Sequence, residues 1–291
     1  MADASRPPRA FVCGHPVAHS RSPLIHGHWL REHGLSGSYV AEAVAPEGFA
    51  AFLGDLAGRG FVGGNVTVPH KEAAFALCDE VTPAARAIGA VNTVWLEGAV
   101  LHGTNTDAVG FLANLDAAHP GWDAPHRTSR EALVLGAGGA ARAVVHGLAE
   151  RGFDTIIVAN RTLARAHELR AVSESVHAVP LERVAIAEAA AGASLIVNTT
   201  SVGMQGKGDA TLPVAFDRFA DDTLATDIVY TPLVTPFLAA AKARGLSIVD
   251  GLGMLLHQAV PGFERWFGVR PRVTTDLRRL VLQDMGLRDH D

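Results

Sequence analysis

Cysteine is nearly absent. The chain of 291 residues holds two, Cys13 and Cys78, which supply neither a disulfide framework nor the paired spacing of a metal site. No apolar run approaches the ~20 residues needed to cross a bilayer. The first ten residues carry Arg6, Pro7, Pro8 and Arg9 but no apolar core of a signal peptide. These absences exclude a membrane partner and point to the cytoplasm. Positive charge is not in excess either. Lys and Arg total 25 against 30 Asp and Glu, a net charge of −5, which argues against nucleic acid as a main partner. What is present is apolar: 48% hydrophobic residues give core enough for one large or two medium domains. The histidines mostly lack spaced partners and read as surface residues, and no metal is expected.

The stretch with the strongest pattern is Glu131-Ala132-Leu133-Val134-Leu135 followed by Gly136-Ala137-Gly138-Gly139-Ala140-Ala141. An apolar strand runs into a glycine turn, and an alanine-rich helix follows over 140–148. Gly136, Gly138 and Ala141 fit G-x-G-x-x-A. The first glycine permits the sharp turn, the second lets backbone approach a pyrophosphate, and the alanine lets helix and strand pack closely. Free N–H groups at the helix start favour phosphate. The next strand, over 154–159, ends not in an acid but in Asn160-Arg161-Thr162, with Arg165 beyond. A carboxylate there would repel a 2′-phosphate, whereas guanidinium groups bind one bidentately. Basic residues at a helix start oppose the helix dipole, so a ligand explains them better than solvent does. The cofactor read from these residues is NADP.

Along the chain, 9–14 reads as a strand. Ser22-Pro23 then starts a helix, with the serine as cap and proline in the first turn. Ser20 and Ser22 flank one turn, where their hydroxyls can meet an anion. A strand over 38–44, a helix over 46–56 and a strand over 61–69 complete a small α/β unit. Asn65, Thr67 and Lys71 stand where its parallel strands end, the usual place for a ligand. Residues 89–95 and 99–107 read as a hairpin around Glu97-Gly98, with two polar Asn-Thr pairs, 92–93 and 105–106. Residues 120–130 read as a loop between the halves. Strands near 131–135, 155–159, 176–179, 194–197, 223–229 and 246–249, mostly separated by helices, imply a parallel, doubly wound sheet. Asn198-Thr199-Thr200 and Asp227-Ile228-Val229-Tyr230 end strands in polar loops, which places them at the cofactor face. Helices around 252–267 and 274–286 find no strand partners left and are expected to pack back on the first unit.

Taken together, the motifs resemble shikimate dehydrogenase over most of the chain, roughly from Phe11 to Trp266. The resemblance rests on His19-Ser20-Arg21-Ser22-Pro23, Asn65-Val66-Thr67-Val68-Pro69-His70-Lys71, Gly89-Ala90-Val91-Asn92-Thr93, Asn105-Thr106-Asp107, the glycine turn, Asn160-Arg161-Thr162, and the run from Gly251 to Gln258. It implies two α/β domains, a smaller substrate-binding and catalytic one (1–108 plus 253–291) and a Rossmann-like NADP-binding one (109–252). It implies Lys71 and Asp107 as the catalytic pair. Ser20, Ser22, Thr67, Asn92, Tyr230 and Gln258 would hold the substrate. Gly136, Ala137, Gly138, Gly139, Ala140, Asn160, Arg161, Thr162 and Arg165 would hold the cofactor, with Ile228 and Gly251 on its nicotinamide side. His70 departs from the family, which usually has an aromatic there, and Pro83 falls where some members carry a polar residue.

The chemistry implied is reduction of 3-dehydroshikimate to shikimate by NADPH, a step in aromatic amino-acid biosynthesis. Hydride reaches the ketone carbon, and the developing alkoxide needs a positioned proton donor such as an ammonium. His70, in a strand-like run, is expected to point away from Lys71. Rival readings are a quinate-preferring, NAD-using relative, a folate-type methylene dehydrogenase, and a non-catalytic NADP sensor. The first would carry an acid near Arg161, the second has no need of Ser20 and Ser22, and the third would lack Lys71 or Asp107. The partner is a small molecule; the oligomeric state stays open, a homodimer included.

Overall fold

A computed structural model describes residues 7–124, 129–206, 208 and 211–287. Part of the N-terminal reading and part of the loop expected over 120–130 lie outside these residues. The chain divides into two compact units, one of Met1–Thr106 with Gln258–His290 and the other of Asp107–His257.

In the first unit the elements are β1 (Arg9–Gly14), α1 (Ser22–Glu32), β2 (Ser38–Ala43), α2 (Phe49–Gly54), β3 (Gly63–Val66), α3 (Lys71–Leu77), β4 (Glu80–Val81), α4 (Pro83–Ile88), β5 (Thr93–Glu97) and β6 (Val100–Thr104). They form a six-stranded sheet in the order β2-β1-β3-β5-β6-β4. β2, β1 and β3 run parallel, and β3, β5 and β6 pair antiparallel. The expected hairpin is β5–β6, closed at Glu97↔Val100. Two elements are shorter than their sequence pattern. Pro46–Gly48 is a 3-10 turn before α2. The strand expected over 61–69 is Gly63–Val66; the Thr67 N–H still donates to Cys13 O at 2.9 Å, and the chain then turns, the His70 N–H closing on the Thr67 carbonyl at 2.9 Å.

The second unit holds α5 (Asp107–Ala118), β7 (Glu131–Leu135), α6 (Gly139–Glu150), β8 (Thr155–Asn160), α7 (Leu163–Glu168), β9 (Val176–Pro180), α8 (Arg183–Ala189), β10 (Leu195–Asn198), β11 (Leu224–Asp227), α9 (Pro236–Arg244) and β12 (Ser247–Val249). Its strands are all parallel, in the order β12-β11-β10-β7-β8-β9. Each of the six strands expected from sequence is present. Alternation along β7 makes both faces of the sheet apolar. Ala132 and Val134 join the core formed with Phe111, Val144 and Leu148 from α5 and α6. Leu133 and Leu135 join Ile186, Phe237 and Leu238 from α8 and α9. This is the doubly wound architecture expected.

α10 (Leu252–Phe267) leaves the second unit, and α11 (Thr275–Asp284) completes the first. Among the described residues no helix is long and apolar enough to cross a membrane. Return of the C-terminal segment to the first unit is anchored by specific bonds. Trp266 Nε1 donates to the Val94 carbonyl at 3.0 Å, and Trp29 Nε1 donates to Arg272 O at 3.0 Å. Gly63 has no side chain because a Cβ there would lie 2.4 Å from Trp266 Nε1.

This aromatic layer encloses a histidine that does not behave as a surface residue. His26 is fully buried, stacked on Tyr39 at 3.9 Å and flanked by Trp29, Phe263 and Trp266. Neither ring nitrogen makes a hydrogen bond of good geometry among the described residues, though the Asn65 side chain is close enough to oppose, in smaller measure, the effect of burial. Burial drives its pKa down to about 3. The unfolded chain therefore takes up a proton at His26 below its ordinary value of about 6.5, and the folded chain does not. Stability from this site is full above pH 6.5 and is lost as pH falls toward 3, by up to about 1.4 kcal/mol per pH unit. His26→Phe keeps the stack and removes the proton site. Urea melts at pH 7.5 and pH 5.0 should show the variant gaining about 2 kcal/mol on the parent between the two; an equal difference at both pH values would refute the assignment.

Candidate active site

The second unit contributes a nucleotide cradle at the carboxyl end of its sheet. β7 ends at Leu135, Gly136 turns with φ +103°, and α6 starts at Gly139 with Gly138 as its N-cap. The glycines differ in why they are glycine. A Cβ on Gly136 would stand 2.9 Å from Thr199 Oγ1 and from Thr200 Cγ2, so packing and backbone both exclude a side chain. Gly138 has φ −92°, and a Cβ on Gly138 or on Gly139 would meet no heavy atom of the described residues within 4 Å. No heavy atom of the described residues requires these two to be glycine. The backbone at the first turn of α6 is open to close approach, the geometry at which a helix N-terminus can meet a phosphate. Ala141 is fully buried, as close packing of helix and strand demands.

At the end of the neighbouring strand β8, Asn160 Nδ2 donates to Thr162 O at 2.8 Å, and Arg161 and Arg165 are exposed. Contrary to the sequence pattern, Arg165 does not oppose the helix dipole. Arg165 lies in the last turn of the six-residue α7, where the dipole favours a cation. Only Arg161 sits before the helix start, so only Arg161 is opposed by it.

On the other side of β7 lie the loops that follow β10 and β11, which the sequence pattern assigns to the cofactor face. Ile228 and Tyr230 are half-buried, but Asp227 points inward, 1% exposed. It accepts hydrogen bonds from Asn198 Nδ2 (3.0 Å), Thr235 Oγ1 (2.7 Å) and the Val229 N–H (2.9 Å). Gly251 is a glycine for packing, since a Cβ would stand 2.5 Å from Ile228 O.

The first unit collects the remaining polar residues around the ends of β1 and β3. Gly14 admits the Thr67 methyl, which lies 2.5 Å from where a Cβ would be. The Val66 N–H donates to Asn92 O at 2.8 Å, and the Val91 N–H donates to Lys71 O at 2.9 Å. Thr67, Lys71 and Asn92 thus stand on adjoining segments. Asn92 is 3% exposed, and its Oδ1 accepts from Thr93 Oγ1, the Thr106 N–H and Thr106 Oγ1 at 2.9, 2.9 and 3.1 Å. Those donors fix which end of the amide is Nδ2. Behind it, Tyr39 donates to Asn65 Oδ1 at 2.6 Å, and Asn65 Nδ2 donates to Asn92 O at 3.1 Å. Burial holds the Tyr39 hydroxyl well above its usual pKa, with the Ser22 hydroxyl beside it opposing the shift.

Two expectations about side chains are corrected here. Ser22 is the first residue inside α1, not its cap; Arg21 occupies the cap position, and the Ser22 N–H donates to Ser20 Oγ at 3.3 Å. His70 is not in a strand. It caps α3 in helical backbone, stacks on Phe49 at 4.3 Å and bonds the Val44 carbonyl through Nε2 at 2.7 Å. It does face the core, held by a turn rather than by strand alternation. Gln258 lies in α10 with the first unit, whereas Asp107 and Tyr230 belong to the second. Sequence reasoning does not single out Tyr39 or Thr235, and it places Asn65 and Asn198 at strand ends open to a ligand, whereas both are buried and bonded within the chain. Thr235-Pro236, a hydroxyl before proline, carries the signal of a cap, which Thr235 is.

A doubly wound sheet with a glycine turn at its switch point defines a dinucleotide-binding α/β protein. Residues 12–94 match the shikimate dehydrogenase substrate binding domain, 123–205 the shikimate/quinate 5-dehydrogenase family, and 251–280 the shikimate 5′-dehydrogenase C-terminal domain. A protein named shikimate dehydrogenase (NADP(+)) from Brucella abortus is 57% identical over 96% of this chain and 95% of its own. The chain belongs to the shikimate dehydrogenase family. Among solved structures, shikimate 5-dehydrogenase from Thermus thermophilus in complex with NADP(H) and shikimate is 44% identical, with a TM-score of 0.79 over 91% of this chain and 95% of that one. Quinate dehydrogenase from Corynebacterium glutamicum in complex with NAD is 29% identical, with a TM-score of 0.83 over 96% and 100%.

The two kinds of glycine should separate by stability. Gly136→Ala should lose about 1–3 kcal/mol, while Gly139→Ala, inside the first turn of α6, should melt at or slightly above the parent temperature. Equal losses in calorimetry would mean that Gly139 is a packing glycine after all.

Proposed function

We propose that this protein is an NADP-dependent shikimate dehydrogenase, interconverting 3-dehydroshikimate and shikimate on the route to chorismate and the aromatic amino acids. Residues 1–108 with 253–291 are the substrate-binding and catalytic domain, and 109–252 bind NADP. A biosynthetic role of this kind belongs in the cytoplasm, and light scattering decides between a monomer and a homodimer.

The observation that carries the cofactor assignment is the pair Gly138 and Gly139, glycines that no heavy atom of the described residues requires. The pyrophosphate is assigned to Gly136, Ala137, Gly138, Gly139 and Ala140. Asn160, Arg161, Thr162 and Arg165 take the 2′-phosphate, and Ile228 and Gly251 line the nicotinamide side. When bound, NADPH supplies the hydride for the ketone carbon. Lys71 Nζ gives its proton to the alkoxide oxygen that develops, and in the reverse direction the neutral amine takes the hydroxyl proton. Asp107 balances the ammonium charge and accepts from a substrate hydroxyl. Ser20, Ser22 and Tyr230 donate to the substrate carboxylate, while Thr67, Asn92 and Gln258 satisfy ring hydroxyls. The fixed amide of Asn92 supports its part, because a donor whose orientation is set in advance costs little to use.

Absorbance at 340 nm, with shikimate or quinate and with NADP or NAD, tests the assignment directly. The highest kcat/KM is expected for shikimate with NADP; a preference for quinate with NAD would overturn it. Arg161→Asp should erase or reverse the NADP preference, since a carboxylate replaces a phosphate-binding guanidinium; an unchanged ratio of kcat/KM values for the two cofactors rules the arginine out. Lys71→Ala should lower kcat by roughly 10²–10⁴ with NADPH binding, followed by fluorescence, retained. His70→Ala should cost stability rather than kcat, because His70 is sealed between Phe49 and Val44. The opposite pattern would move the proton to the histidine.

A further inference from the structure

The cofactor half of that function places the phosphates and the 2′-phosphate on β7 and β8. In a sheet built of two mononucleotide halves across a switch point, this leaves the β10–β12 half for the nicotinamide nucleotide. The segment that half offers is Ile228–Tyr230. It is a loop, and something must fix its course.

Asp227 is the point where that loop is tied. Its three donors come from three separate segments: Asn198 at the end of β10, Val229 two residues on, and Thr235 at the start of α9. Two of the donors are themselves held. Asn198 Oδ1 accepts from the Thr200 N–H at 2.9 Å and Thr200 Oγ1 at 2.7 Å, so its amide cannot turn round. Thr235 Oγ1 also accepts the Leu238 N–H, capping α9. Next to Asn198, Thr199 Oγ1 donates to the Leu135 carbonyl at the end of β7 at 2.7 Å, immediately before the glycine turn. The Asp227 carbonyl lies 2.7 Å from where a Cβ on Gly251 would stand, so the loop after β12 is pressed onto the same residue. The Asp227 side chain thus ties the end of β10, the loop after β11 and the start of α9 to one another. Burial pushes its carboxyl above the ordinary value, and the three donated bonds oppose that shift.

We propose that Asp227 is the positioning residue for the nicotinamide end of the cofactor site, holding Ile228–Tyr230 in place through Asn198 and Thr235 without touching the ligand. This rests on the NADP reading above. Asp227→Asn is the sharp variant. With Oδ1 kept on the Val229 N–H, its new amide group meets Asn198 Nδ2, donor against donor, and Asn198 cannot flip.

Calorimetric titration with NADP and with adenosine 2′,5′-bisphosphate, which lacks the nicotinamide, separates positioning from general damage. Asp227→Asn should bind the bisphosphate within about twofold of the parent but NADP at least about fivefold more weakly, the loss expected when a positioned hydrogen-bonded segment is released. Its kcat for shikimate should fall by roughly 10–100-fold, as misplacement of reacting groups does. Thr235→Ala should show the same split more weakly, and Thr235→Ser, which keeps donor and cap, should restore parent behaviour; this pair decides the matter if Asp227→Asn does not fold. Equal weakening of both ligands, or no change in either, overturns the proposal. A parent protein that binds NADP but does not oxidise shikimate overturns the substrate assignment alone, and one that binds no NADP overturns both.

Discussion

Parallel strands cannot be joined by a tight turn, so each strand of the second unit must hand the chain to a segment that crosses back over the sheet. Everything functional in that unit follows from this constraint. It forces both sheet faces to be covered and apolar, and it gathers the loops after β7, β8, β10, β11 and β12 at a single edge. The glycine turn, Asn160–Thr162 and Ile228–Tyr230 share one edge of the sheet because the strands before them all point the same way. In the first unit the parallel trio β2-β1-β3 does the same for Gly14, Thr67 and Lys71, on a smaller scale.

Local pattern is enough to read that framework. Each strand of the second sheet is a short apolar run ended by polar or glycine residues, and a run of that kind has few alternatives between flanking helices. The glycine turn is legible for the same reason. What the sequence does not disclose are relations between distant residues. Asp227 and Asn198 look like two polar strand ends open to a ligand, yet they are 29 residues apart and satisfy one another. His26 looks like one exposed histidine among several, because the residues that seal it include Phe263 and Trp266 from the far end of the chain. Short-range readings fail where one residue shifts an assignment: Ser22 is inside its helix rather than capping it, and Arg165 is at the favourable end of a helix only six residues long.

The glycines make a related point about inference. Gly136, Gly63 and Gly251 are each explained by an atom that a side chain would strike. Such residues report on the fold. Gly138 and Gly139 are explained by no atom of the described residues, so the space beside them is open. A motif treats all of them alike; only the space around each one distinguishes them.

The first unit is interrupted: its sheet is encoded in the opening third of the chain, but Phe263, Trp266 and the carbonyl of Arg272 that receives the Trp29 indole arrive at the end. During vectorial synthesis the sheet of β1 to β6 therefore emerges with Trp29, Tyr39 and His26 uncovered on one face, and the whole second unit is translated before the covering residues leave the ribosome. Domains fold as units once their residues are available, so the order of maturation is the reverse of the order of synthesis. The nucleotide-binding unit is complete first, and the unit that begins the polypeptide is the last to close.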